Sequence, residues 1–180
     1  MKIFAETERL VLREILPTDI DGIYELDSDP DVHRYLGNNT LKALNQASDV
    51  INFVRQQYVD YGIGRWAIVD KKSNEFIGWS GLKYVTDITN NRTNYYDLGY
   101  RLIKRFWGQG IATETAFIAL EYAFNTLKLN EVCAAASYDN NASNRITNKL
   151  GFNFVETFYY QDILCNWYEF ERSNYDKLRN

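Results

Sequence analysis

The chain has 180 residues, 46% of them hydrophobic and 24% charged, with a formal net charge of -4 and a pI near 5.1. That length and apolar share fill one core and demand no second, so residues 1–180 are expected to form a single domain. The acidic balance, with Lys and Arg scattered along the chain, excludes general affinity for nucleic-acid phosphates. Cys133, Cys165 and the single His33 cannot supply the four N/S ligands of a structural zinc site, and no metal is expected. The opening "MKIFAETERL" lacks the apolar stretch of a secretory leader, and no segment has the apolar length of a membrane span. A cytoplasmic protein with reduced thiols and no membrane partner is the expectation.

In chain order, "RLVLREI" (9–15) alternates like a strand, and "PTDIDGIYELDSD" reads as a short helix begun by Pro17, Thr18 and Asp19. Residues 46–62 form an amphipathic pattern with Val50, Ile51, Val54 and Tyr58 on one stripe, ending at Gly62. "RWAIVD" and "FIGWSGLKYV" are strands separated by the turn-like "KKSNE". After the loop "TDITNNRTN" comes a third strand, 95–103, whose Gly99 signals a bulge or a close backbone approach.

Next stands "RFWGQGIATETA" (105–116), with Gly108 and Gly110 flanking Gln109 ahead of a helical pattern. Ala116, Phe117, Leu120, Phe124 and Leu127 are its expected buried stripe. A glycine turn that opens a helix leaves unpaired N–H groups facing outward, and with the positive end of the helix dipole these bind anions. The motif is neither of two familiar phosphate loops: there is no G-x-x-x-x-G-K-[ST], and Thr113 stands where a dinucleotide fingerprint has its third glycine. Glu131 lies at about the spacing of a ribose-binding acid but begins the next strand, "EVCAAAS", instead of ending it. Then come a polar turn, a short helix from about Ala142, a "KLGF" exit and the strand-like "NFVETFYY".

These blocks carry a resemblance. Arg105, Gly108 and Gly110 fit the R/Q-x-x-G-x-G/A signature of the GNAT-superfamily N-acetyltransferases, and Asn140, Ser143, Lys149, Gly151 and Phe152 fit the N-x-x-S...K-x-G-F segment that follows it. "TERLVLRE", "DPDVHRYLG", "IGWSGL" and "LGYRLIKRFWGQGIATE" further resemble the ribosomal-protein-alanine acetyltransferase branch, so that the likeness spans most of the chain.

The resemblance implies a three-layer α/β fold around a mixed, mostly antiparallel sheet of seven strands with helices on both faces. It implies acetyl-CoA as co-substrate, its diphosphate on the amides around Gln109, Gly110, Ile111, Ala112 and Thr113, and its pantetheine between strands 95–103 and 131–137. There Leu102, Ile103 and Lys104, next to Arg105, offer main-chain groups, and Asn140 offers its side-chain amide. The implied partner is an amine acceptor, either a protein N-terminus or a small molecule, with a homodimer left open.

Acetyl transfer to an alkyl amine needs a base, an oxyanion donor and a proton for the thiolate. Asp97 is the candidate base, against a solvated acid at a strand edge, and an N–H near Gly99 to Leu102 is the candidate oxyanion donor. Many superfamily members place a tyrosine acid where this chain has Thr147. Ser143 takes that role in the closer branch, and is otherwise a helix-start residue bonded to the backbone. The alternative function is an acyl-CoA-binding sensor that has lost turnover; a sugar or antibiotic acetyltransferase would change only the acceptor. His33 reads as a surface or partly packed side chain, and Cys133 as a small buried one. Tyr159, Tyr160 and Trp167 could line a pocket, but their alternation reads more simply as the packed face of a terminal hairpin, one that could still border the acceptor groove.

Overall fold

The computed structural model describes residues 1–179. Its strands are β1 (Ile3–Glu6), β2 (Leu10–Glu14), β3 (Trp66–Asp70), β4 (Phe76–Val85), β5 (Tyr95–Leu102), β6 (Glu131–Ser137), β7 (Asn153–Tyr160) and β8 (Ile163–Glu171). They form one sheet in the order β1-β2-β3-β4-β5-β6-β8-β7. All neighbours are antiparallel except β5 and β6. The sheet thus has eight strands where seven are expected. The unforeseen one is β1, four residues that are only half-buried along its middle and show no period-2 alternation.

The helices are α1 (Ile20–Ser28), α2 (Pro30–His33), α3 (Leu44–Tyr61), α4 (Ile111–Glu121), α5 (Asn141–Leu150) and α6 (Arg172–Arg179). Helices α1 and α3 cover one sheet face, burying Ile23, Ala47, Ile51 and Val54 on Ala67 and Val69. On the other face α4 packs Ala116, Ala119 and Leu120 onto Leu12, Ile68, Leu82 and Leu98. At 3.6 residues per turn these positions recur on one stripe, and the small alanines let the helix sit close to the sheet.

Phe117 departs from the expected stripe and is 39% exposed. Ala119 and Ala123 take the inner positions instead, and Phe117, two residues before Ala119, lies about 160° around the helix from it. The amphipathic helix of 46–62 starts two residues earlier, at Leu44, and closes as expected with Gly62 left-handed at φ 67°. At the C-terminal end α6, absent from the sequence reading, buries Tyr175 against Phe124 with ring centroids 5.1 Å apart.

Candidate active site

The site begins where the two parallel strands part. β5 and β6 pair only at Asp97 with Cys133, and beyond that point residues 98–102 and 134–137 diverge. The cause is topological: each strand continues its ladder with an outer neighbour, β4 for β5 and β8 for β6, so neither loses its backbone bonds by separating. Ile103 donates its N–H to Ile77 O at 2.9 Å. Main-chain groups alternate in direction along an antiparallel strand, so those of Tyr100 and Leu102 turn away from β4 into the gap. The Leu102 carbonyl is already taken by the Trp107 indole N–H at 2.8 Å, which leaves its N–H as the group on offer.

A short 3-10 turn, Lys104–Phe106, leads from β5 toward the glycine loop. Gly108 has φ 74° and Gly110, the N-cap of α4, has φ 78°, both in the left-handed region that disfavours side chains. A Cβ on Gly108 would meet no atom within 4 Å, and one on Gly110 would meet only Arg9 Nη2, at 3.9 Å. The protein's own packing therefore leaves the space over both glycines open, and the first-turn N–H groups of Ile111, Ala112 and Thr113 border it. A diphosphate fits this cradle by charge and by room.

Arg9, not among the expected site residues, stands at the rim. It donates to Gln109 O at 2.9 Å and pairs with Glu114 at 2.6 Å. The Lys104 and Arg105 side chains point elsewhere: Lys104 pairs with Asp31, and Arg105 with Glu25 and Glu75. These bonds tie α1, α2 and the residue before β4 to the approach of the loop, so neither charged side chain is turned to the cradle and only the main chain of the two residues is left to serve it.

Across the gap, Asn140 caps α5 by accepting the Ser143 N–H on Oδ1 at 3.1 Å, which leaves its amide NH2 for a ligand. The Ser143 hydroxyl is not the cap. It meets the Tyr100 hydroxyl at 3.0 Å, a contact that spans from β5 to α5.

Asp97 lies on the opposite face of β5, toward α1 and α3. Its Oδ2 is paired with Arg65, whose guanidinium also donates to Gly81 O and to Asp97 O at 2.7 Å. This pair explains Gly99: a Cβ there would come within 2.7 Å of Arg65 Nη2. Of the two alternatives for Gly99, the close approach holds, because β4 and β5 keep unbroken register from Gly78 with Leu102 to Val85 with Tyr95. Arg65 and Arg101 lie 5.2 and 5.0 Å from the Trp79 ring centroid. Arg101 in turn pairs with Asp27 at 2.6 Å.

Burial opposes the charge on Asp27, but the His33 hydrogen bond and the charge and hydrogen bond of Arg101 outweigh it and hold the carboxyl below its ordinary 3.8. His33 is accordingly no surface residue: it is 7% exposed, with Nε2 3.2 Å from Asp27 Oδ1 and a buried, unpartnered Nδ1. The alternation Asp27, Arg101, Trp79, Arg65, Asp97 is assembled from α1, β4, β5 and the residue just before β3. No local motif announces such a set.

Cys133 is buried, as expected, and burial together with Glu131 pushes its thiol well above the ordinary range, so it stays protonated. Glu131, Cys133 and Glu169 converge within 4.8 Å. Arg92 already pairs with both carboxylates at 2.6 Å, and a protonated thiol is a poor ligand, so the group fits an ion pair better than a metal site. Of the hairpin aromatics, Trp167 is buried between Tyr95 and Phe158, while Tyr159 is 74% exposed. Beside Trp167 in register, Ala135 of β6 is exposed.

Residues 9–153 match the model of the Acetyltransferase (GNAT) domain, and the chain belongs to that family. It is an acetyl-CoA-dependent N-acetyltransferase. The chain is 31% identical over 147 residues to the N-acetyltransferase YoaA of Bacillus subtilis, which covers 82% of this chain and 81% of that one. It is 32% identical over 139 residues to the FsC-acetyl coenzyme A-N(2)-transacetylase of Aspergillus fumigatus, covering 75% of this chain and 58% of that one. Among solved structures, a GNAT-family acetyltransferase of Bordetella pertussis superposes with a TM-score of 0.80 at 19% identity, covering 94% of this chain and 99% of that one. A ribosomal L7/L12 α-N-protein acetyltransferase in complex with coenzyme A superposes at 0.78 with 17% identity, covering 96% and 99%. These structural likenesses speak to the fold.

Among the described residues no helix is long and apolar enough to cross a membrane.

Proposed function

We propose that the chain transfers acetyl from acetyl-CoA to a primary amine, a protein N-terminal amine first among the candidates, by direct attack while both substrates are bound. The observation that carries this reading is the gap between β5 and β6, which starts at the Asp97–Cys133 pair and widens past Leu102 toward the glycine loop. In it the amides of residues 109–113 hold the diphosphate, and Leu102, Lys104 and Asn140 hold the pantetheine. The Tyr100 N–H, directed into the gap, stabilises the oxyanion.

Arg65 fixes Asp97 Oδ2, and Oδ1 takes the proton of the incoming ammonium directly or through water. Ser143 donates a hydrogen bond to the departing sulfur. The acceptor preference rests on the branch resemblance, and the L7/L12 acetyltransferase among the structural neighbours agrees with it. The test is thiol release from acetyl-CoA over a panel of N-terminal peptides, polyamines, aminoglycosides and amino sugars. Turnover confined to peptides supports the reading; tight acetyl-CoA binding with no turnover replaces it with a binding module.

A further inference from the structure

We propose that Tyr100 is a positioning residue for acetyl transfer, acting through Ser143 to aim the serine proton at the departing sulfur. The proposal rests on the assignment of Ser143 above and deepens it. Tyr100 sits three residues past Asp97 on β5, with its main chain at the gap and its ring among the side chains packed under α4. Its hydroxyl lies 3.0 Å from Ser143 Oγ and 3.3 Å from Ser143 O. The carbonyl already accepts Thr147 Oγ1–H at 3.0 Å, so the Tyr100 proton has its better partner in Ser143 Oγ.

A serine oxygen that accepts one proton keeps its own O–H for another partner, and the Ser143 backbone N–H is spent on Asn140. Burial raises the Tyr100 phenol above its ordinary range, so it remains a donor through neutral and mildly basic pH. When the C–S bond breaks, its electron pair goes to sulfur; Ser143 donates a hydrogen bond to the thiolate, which leaves and takes its proton from water. Thr147, where many relatives carry tyrosine, is 4% exposed and directs its hydroxyl to Ser143 O. Tyr100, arriving from the strand, supplies the phenol that α5 lacks.

The experiment is a cycle of Tyr100→Phe, Ser143→Ala and the double variant, with acetyl-CoA affinity and the unfolding midpoint measured in each. Tyr100→Phe should lower kcat roughly tenfold, about one hydrogen bond to developing charge, at unchanged acetyl-CoA affinity. The double variant should be no slower than Ser143→Ala alone, because Tyr100 has nothing left to act through. Losses that multiply, or a Tyr100→Phe turnover equal to that of the unaltered protein, overturn the proposal. If Tyr100→Phe does not fold, ring-fluorinated tyrosines at 100 keep the shape and strengthen the O–H donor; turnover that rises with donor strength supports the proposal, and a flat response overturns it. An unaltered protein that acetylates no amine sinks the functional reading itself, whereas normal turnover indifferent to Tyr100 sinks only this inference.

Discussion

The two mouths of the gap are built in opposite ways. On the side we assign to the cofactor all the proposed residues but Asn140 lie within one short stretch, 102–113, and its glycines face open space: nothing lies within 4 Å of a Cβ built on Gly108. On the acceptor side they come from four separate parts of the chain, and the glycine there faces a filled one, with Arg65 Nη2 2.7 Å from a Cβ built on Gly99. The contrast separates two uses of glycine. Gly99 makes room for the protein's own guanidinium, while the space over Gly108 and Gly110 is left open by the chain's own packing.

If that division is real, chemistry and cofactor affinity respond to different residues. Asp97→Asn should lower turnover by roughly 10² to 10⁴ at neutral pH and leave acetyl-CoA affinity unchanged. The deficit should narrow as pH rises, because a growing share of the amine is already neutral. It also strands Arg65, and stability should fall by about 1–3 kcal/mol in denaturant titration. Turnover at the level of the unaltered protein across the pH range would make Asp97 only the counter-ion of Arg65.

Gly110→Val presses on the other mouth. Its branched side chain is strained at φ 78° and fills the cradle, so acetyl-CoA affinity should drop by on the order of 10²-fold as phosphate contacts are lost. Calorimetric titration reads the change, and a folded variant that binds normally would move the diphosphate elsewhere.

A further effect, on stability and not on chemistry, concerns the charged row behind Asp97. Asp27→Asn removes the partner of Arg101 and should cost about 3 kcal/mol at neutral pH. Because the folded carboxyl titrates below its unfolded value, this stability is fully present above the unfolded pKa, about 3.9, and fades as pH falls through the folded one. Unfolding midpoints of the two proteins should therefore converge in acid; a gap that is constant with pH would assign the loss to packing.

What the sequence disclosed follows the same division. β4, β6 and β7 were readable to the residue, because each alternates or runs apolar between strong turn signals. The cradle was legible because glycine spacing is a local property. Arg65, Trp79, Arg101 and Asp27 were not, since what joins them is strand register and a ring face, which no sequence window contains. Tyr100 stood in plain view as an ordinary strand aromatic; only the crossing from β5 to α5 gives its hydroxyl a partner. β1 and α6 were missed because one is short and the other has Tyr175 as its buried anchor.

The most direct test of the central claim is thermal unfolding of the unaltered protein and of Asp97→Asn with acetyl-CoA at ~100 times its Kd. Binding only to the native state should add roughly 2.7 kcal/mol to each. For a chain of this size that corresponds to a midpoint higher by about 5–10 °C. Equal shifts in both proteins are the predicted result. No shift in the unaltered protein, or a shift abolished by Asp97→Asn, would contradict a cofactor cradle that stands apart from the acceptor face.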